Sequence, residues 1–203
     1  LSLHDALPIW SHDLLVDNVF VNNDWTFIRG EPSKLSEPFF KYPSLSLATQ
    51  VLTVVGIGVA AAALEEFQKL APGKSSITGG AEIASRPVTQ YEYAQVEAEF
   101  KAARVWFYDT MQIVWNEIIA GGTPTPEQIS DMRLSCTHVA RVCARVTRKI
   151  QMLAGMTAIY THNPFSRFVN DTNVVTQHAF MGDNTLQNAG AMSFGLNPTP
   201  GYL

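Results

Sequence analysis

The stretch QMLAGMTAIYTHNPFSRFVNDTNVVTQH, residues 151–178, decides how this chain is organised. A helical pattern rich in cations leads into this stretch. The helix is predicted to break at Asn163-Pro164, and a second helical pattern follows. Because proline at the first turn of a helix costs no hydrogen bond, Pro164 predicts the start of that second helix. The stretch ends at His178, a titratable imidazole. This arrangement is typical of a site for an anionic cofactor.

Hydrophobic periodicity and breaker residues predict three long helices before this break. They cover about Ser44 to Leu70, Pro87 to about Ala120, and Thr125 to about Thr161. The third begins with Thr125-Pro126-Glu127-Gln128, which supplies an N-cap, a first-turn proline and a capping-box glutamine.

A fourth helix is expected from Pro164 to a break near Gly182, followed by a short helix or turn over residues 186–196. The predicted fold class is mainly α, an up-and-down four-helix bundle.

The segment before these helices has a different character. Leu14 to Val21 is apolar and β-branched with an Asp-Asn interruption, which predicts a strand or a strand pair. Asn22 to Pro43 contains five aromatic side chains among Asn, Pro, Gly and Ser, so we expect a long connector pinned by aromatics. The predicted organisation is therefore a strand and connector over residues 11–43 and a helical domain over residues 44–203.

Residues 1–10 begin without Met and lack the basic start and long apolar run of a signal peptide. They are similar to a translated sequencing adapter, so we expect them to be non-native. The remaining residues are then expected to be the carboxy-terminal part of a longer protein.

Composition narrows the possible partners and the compartment. The net charge of -4 gives no reason to expect nucleic acid. Cys136 and Cys143 lie about 10 Å apart along a helix axis, beyond the roughly 7 Å limit for a disulfide. Together with the missing export signal, this spacing favours a reducing cytoplasm.

Leu45 to Leu64 is nearly uncharged and about as long as a bilayer requires. Its small and polar residues, including Gln50, Thr53 and Gly56, and its lack of basic or aromatic anchors favour a helix buried on all sides. We therefore expect no membrane partner. We expect this helix to lie at the centre of the bundle or at a subunit contact.

The candidate chemical groups leave alternatives open. Arg141, Arg145 and Arg148 share one helix face, which is typical either of ion pairs on a solvated face or subunit contact, or of phosphate capture. A lone histidine such as His178 is more often structural than catalytic. His138 and Cys136 lack the spacing to share a face, so no metal site is predicted.

Three segments together resemble the acyl-CoA dehydrogenase-like flavoproteins over roughly residues 11–196. Residues 11–21 resemble the closing strands of that family's middle β domain, residues 151–155 look like its Gln-x-x-Gly-Gly segment, and residues 163–171 look like its Pro-Leu-x-Arg-x-x-Arg-Asp turn. The resemblance implies a four-helix carboxy-terminal domain preceded by a remnant of a β domain. It also implies that a flavin is bordered by Gln151, Gly155, Arg167 and Asp171.

The residue at the catalytic position separates the family's branches. Dehydrogenases commonly carry glutamate where this chain has Ala179, whereas His178 matches the histidine of the hydroxylase branch, the oxygenase components of two-component flavin-dependent monooxygenases. The resemblance implies that His178 is catalytic, because imidazole exchanges protons near neutral pH. It also implies reduced FMN or FAD as cofactor, a separate flavin reductase, a small aromatic substrate, and a homo-oligomer, commonly a tetramer.

Two other functions stay open. An acyl-CoA dehydrogenase with its base elsewhere would hold FAD stably, and a helical oligomerisation module would keep the bundle without chemistry. Ala154 and Asn170 replace a glycine and an arginine of the family motifs, which weakens the expected flavin contacts.

Overall fold

The computed structural model describes residues 15–28, 31, 33–75 and 79–203. The chain divides into two compact units, one ending at residue 32 and one running from residue 33 to residue 203. The expected non-native residues 1–10 lie outside the described residues.

Five α-helices form the second unit within its described part: α1 (Ser44–Leu70), α2 (Pro87–Ile119), α3 (Pro126–Ala154), α4 (Phe165–Gln177) and α5 (Asp183–Ser193). The predicted capping box of Thr125 and Gln128 forms at the start of α3. The mainly α prediction is confirmed, and the expected broken fourth helix is two helices, α4 and α5.

The third helix lies at the centre of the bundle, because α1, α2, α4 and α5 all contact it. Buried aliphatic side chains and both cysteines line α3 along most of its length, including Val139, Cys143, Val146 and Ile150. Gln50 contacts Met132 and Gly56 lies beside Cys143, so α1 runs parallel to α3. Helices α2 and α4 run antiparallel to it.

The carboxy-terminal tail folds back onto α3. Tyr202 is 4% exposed, and its hydroxyl lies 3.0 Å from the Ser130 hydroxyl. Arg133 donates to the Tyr202 carbonyl and stands 4.4 Å over the Tyr202 ring. The last residues of the chain are therefore anchored to α3.

The strand prediction is wrong for the residues of 14–21 that the structure describes. Residues 15–21 form no strand and are exposed, with Leu15 and Phe20 each 91% exposed. A strand needs a neighbour to pair its backbone groups, and no strand occurs among the described residues. Leu14 itself lies outside them.

Two packing predictions also fail. Trp25 and Phe27 are 85% and 88% exposed, so they do not pin the connector, whereas Tyr42 does so through hydrogen bonds to Gln50.

Helix α1 is buried on one face only, because Val51, Val54 and Val55 face solvent. Length and composition alone would let α1 cross a membrane, but its other face packs on α3 and α4.

Candidate functional site

The end of α3 and the start of α4 are joined by a chain of hydrogen bonds. Arg148 donates to Oε1 of Gln151 at 3.0 Å, and Nε2 of Gln151 donates to the Ser166 hydroxyl at 3.1 Å. The Ser166 hydroxyl donates in turn to the Ala158 carbonyl at 2.9 Å. Two of the predicted site segments therefore meet, although the Gln151 side chain is engaged within the protein.

The helix break lies at Gly155, earlier than the Thr161 predicted from the sequence. Gly155 has φ 61 and ψ -144, a conformation that side chains rarely adopt, and a short 3-10 helix follows to Ile159. Ala154 is 1% exposed, so its methyl group packs in the core. Of the two glycines common in the family motif, this chain keeps the one that its backbone requires.

Three of the predicted residues lie on one side of α4 and of the cap that follows it. Arg167 and Asp171 are four residues apart, and His178 lies eleven residues beyond Arg167, so helical periodicity places all three on one side. At 1.5 Å per residue, Arg167 and His178 are separated by about 16 Å. A ligand that contacts both has to be extended.

The turn after α4 presents His178 to solvent. His178 is the residue between α4 and a 3-10 helix, Ala179–Met181, and the Phe180 N–H of that helix donates to Nδ1 of His178 at 3.2 Å. The Phe180 ring meets the imidazole edge-on at 4.7 Å. Met181 is fully buried, and its sulfur lies 3.8 Å from the Thr53 hydroxyl on α1. The turn is thus fixed to the bundle directly behind the imidazole.

Sequence inspection missed Thr185 as part of this arrangement. Its hydroxyl donates to the Phe180 carbonyl at 3.1 Å, and the residue is 2% exposed. A buried threonine shortly after a helix break was the available signal, but spacing alone does not reveal its acceptor.

The cation-rich face of α3 is occupied by ion pairs within the chain. Arg141 lies 2.7 Å from Asp183 of α5, Arg145 lies 3.9 Å from Glu99 of α2, and Lys149 lies 2.6 Å from Glu92 of α2. Arg148 contacts Gln151 instead. Of the two interpretations from the sequence, this geometry favours ion pairing, between helices of the same chain.

The other candidate groups are structural. Burial raises the pKa of both cysteine thiols, Cys136 and Cys143, to about 12, and both are free. Burial, and then the charge of Arg145, lowers the pKa of His138, whose ring lies 5.4 Å from the ring of Trp106. Within the described residues, no cluster of three or more His, Cys, Asp or Glu side chains is placed to hold a metal.

A cavity of about 400 Å³ lies between the connector, the first turns of α1 and α2. Its lining is aromatic and amide-bearing, with Phe39, Tyr42, Gln50, Tyr108 and Trp115 among its residues. Burial raises the pKa of Tyr42, whose hydroxyl is hydrogen-bonded to Gln50. None of the predicted site residues lines this cavity.

Residues 50–183 match the family model described as acyl-CoA dehydrogenase, C-terminal domain. The chain belongs to this family. The predicted resemblance to acyl-CoA dehydrogenase-like proteins is therefore confirmed, and the matched residues run from the first turns of α1 to the first residue of α5.

Two curated relatives cover nearly all of the chain. It is 82% identical to indole-3-acetate monooxygenase of Acinetobacter baumannii over 193 residues. These residues are 95% of this chain and 50% of that protein. It is 54% identical over 194 residues to indole-3-acetate monooxygenase of Pseudomonas putida, again covering 95% of this chain and 50% of that protein. The chain spans about half the length of the curated relatives it matches.

A solved structure shares the helical fold of this chain. The XiaF protein of a Streptomyces species, solved in complex with FADH2 and glycerol, superimposes with a TM-score of 0.78 at 15% identity. The match covers 83% of this chain and 43% of that protein. At this identity the likeness concerns the helical architecture alone.

Proposed function

We propose that this chain is the carboxy-terminal helical part of a flavin-dependent monooxygenase that hydroxylates indole-3-acetate or a closely related small aromatic compound. The observation that carries the proposal is the 82% identity, over 95% of the chain, to an enzyme named indole-3-acetate monooxygenase. The exposed imidazole of His178 at the turn after α4 supports the same branch of the family.

The residues at the start of α4 fit a phosphate-bearing flavin. Arg167 is exposed, and the N-cap residue Pro164 has no side-chain bond to the N–H groups of the first turn, which an anion would complement. No atom lies within 4 Å of a Cβ built on Gly155, which leaves space for close approach. The buried Thr157 hydroxyl also has no hydrogen-bond partner among the described residues.

The predicted flavin-bordering residues receive distinct roles. Arg167 binds a phosphate, and Gly155 allows the ligand to approach the backbone. Gln151 orients Ser166 rather than serving as a free ligand group. The Asp171 carboxylate would repel a phosphate, so it accepts hydrogen bonds from hydroxyl groups of the ligand.

When bound, a reduced flavin supplies the electrons that activate molecular oxygen. His178 contacts the reacting oxygen at the opposite end of the α4 face from Arg167. Catalysis then depends on the position of this imidazole relative to the bound substrate.

The assembly is proposed to be a homo-oligomer, with a tetramer as the expected form, located in the cytoplasm and served by a separate flavin reductase. The exposed valines of α1 support an oligomer, because a row of apolar side chains on a helix is stabilised by a partner surface. Analytical ultracentrifugation of the full-length protein tests the subunit number.

The decisive experiment uses the full-length protein, a flavin reductase, indole-3-acetate and ¹⁸O-labelled oxygen, with FMN and FAD in separate reactions. We expect one labelled oxygen atom in the product, and the more effective flavin identifies the cofactor. Reduction of tightly bound FAD by an acyl-CoA, without product, would instead support a dehydrogenase. Failure to bind either flavin would support an oligomerisation module.

A further inference from the structure

The His178 imidazole is engaged at one nitrogen and open at the other. Its Nδ1 accepts a hydrogen bond from the Phe180 N–H at 3.2 Å. Its Nε2 has no hydrogen-bond partner in the part of the chain that the structure describes. Because the side chain is exposed, Nε2 is the nitrogen that a ligand can reach.

This hydrogen bond determines the tautomer of the neutral side chain. A neutral imidazole carries one N–H, and a nitrogen that accepts from a backbone N–H cannot be the protonated one. The proton therefore lies on Nε2. Neutral His178 offers a donor to its surroundings, and the lone pair that a general base would use at Nε2 is not available.

Buried contacts hold the Phe180 backbone in the position that makes this bond. The Thr185 hydroxyl of α5 donates to the Phe180 carbonyl at 3.1 Å. The next residue, Met181, is fully buried beside Thr53 of α1. The orientation of the imidazole is consequently set by α1 and α5 together, through one short turn.

We propose that His178 acts as a hydrogen-bond donor through Nε2–H, stabilising an oxygen atom that gains negative charge during the reaction, and that Thr185 is a positioning residue acting through the Phe180 backbone. The identity of that oxygen rests on the proposed monooxygenase function, whereas the tautomer does not. Donors aimed at developing negative charge stabilise it strongly in sites that exclude water.

The tautomer is tested without turnover, by long-range proton–nitrogen NMR spectra of the full-length protein labelled with ¹⁵N-histidine. The His178 signals are the ones missing from the His178→Gln variant. We expect the Nε2–H form to dominate in the wild type and in Thr185→Ser, and to lose dominance in Thr185→Val. A dominant Nδ1–H form in the wild type overturns the proposal.

Thr110→Val is the matched control for Thr185→Val. Thr110 is also buried and donates to a backbone carbonyl, that of Phe107 at 3.0 Å, but it lies in α2 away from the turn. The control should leave the His178 tautomer unchanged. An equal change in both variants would mean that Thr185 has only a structural role.

Replacements of His178 test the donor role by the ratio of product formed to oxygen consumed. Glutamine keeps an N–H near the position of Nε2, glutamate places only acceptors there, and asparagine places its amide near Nδ1. We expect glutamine to retain most of the coupling, and glutamate and asparagine to lose about 100-fold. Glutamate equal to or better than glutamine would overturn the donor role in favour of a base.

The NMR spectra and the His178 replacements separate failure of the proposed monooxygenase function from failure of the donor role of His178. If the wild-type protein forms no hydroxylated product, the proposed function fails, and the NMR spectra still decide the tautomer. If the wild type hydroxylates but glutamate replaces His178 best, only the donor role fails.

Discussion

Asp183 Oδ1 lies 2.7 Å from Arg141 Nη2, and this ion pair joins the first residue of α5 to the middle of α3. The Asp183 side chain is 81% exposed and that of Arg141 is 36% exposed. Water and salt therefore screen much of their attraction.

Replacing Asp183 with asparagine should lower the free energy of unfolding by only about 0.5 kcal/mol, since exposed pairs contribute little. Urea unfolding at low and high ionic strength measures this difference, which should shrink as salt is added. A loss that high salt does not reduce would show that the pair is more buried than its exposure indicates.

Arg167→Ala should weaken flavin binding by the full-length protein roughly tenfold or more, because it removes a charge-assisted hydrogen bond to phosphate. Arg141→Ala is the matched control, since its guanidinium is already paired with Asp183. Fluorescence titration with FMN and FAD gives both affinities. If both variants bind flavin equally weakly, the arginines of α3 also bind the phosphate.

Gly155→Ala should destabilise the fold by about 1–3 kcal/mol, because its φ of 61 lies in a region that side chains rarely adopt. No atom lies within 4 Å of the added Cβ, so backbone strain rather than a clash is the cause. Gly58→Ala in α1 also meets no atom within 4 Å. There, alanine should stabilise by up to about 1 kcal/mol, since it is the better helix former. In thermal melts, Tm should fall for Gly155→Ala and rise for Gly58→Ala.

Thr147 and Thr172 join α3 to α4 through buried hydroxyls 2.7 Å apart. Thr172→Val should cost about 1–3 kcal/mol, because it leaves a buried polar group with fewer partners. The double replacement of both threonines with valine should cost less than the sum of the single replacements. A double-mutant cycle in urea measures the coupling, and strict additivity would argue against a direct bond.

Alkaline pH should unfold this chain partly through its two cysteines. Burial raises the pKa of Cys136 and Cys143 from 9.0 to about 12, so their thiols ionise first in the unfolded chain. Their contribution to stability is complete below pH 9 and falls by about 1.4 kcal/mol per pH unit for each thiol above it. The free energy of unfolding, measured between pH 8 and pH 10, should fall less steeply with pH in the double variant Cys136→Ala, Cys143→Ala. An unchanged slope would assign it to other groups.

Much of the helical architecture was predictable, because its signals are local. The capping box of Thr125 and Gln128 forms as expected, and Pro87 begins α2. The end of α3 was missed because the residues after Gly155 are compatible with a helix, and only the backbone conformation of that glycine ends it. The strand failed because β-structure depends on partners that local sequence does not specify.

The sequence proposes which residues belong to the candidate site but does not reveal its geometry. Family motifs indicated His178 and Arg167, yet their separation along α4 follows from the length of that helix. The orientation of His178 depends on the Phe180 backbone and on Thr185, and both contacts arise only after the turn has packed. The pairing of Arg141 with Asp183 likewise joins residues 42 positions apart.

The parallel arrangement of α1 and α3 affects synthesis of the protein on the ribosome. Helix α1 is complete at Leu70, but the helix that covers its apolar face ends at Ala154. At about 5–20 residues per second, the intervening segment takes roughly 4–17 s to synthesise. Throughout that interval α1, an apolar helix with no charged residue before Glu65, lacks the α3 surface that covers it, which makes nascent α1 a natural target for chaperones that bind emerging chains.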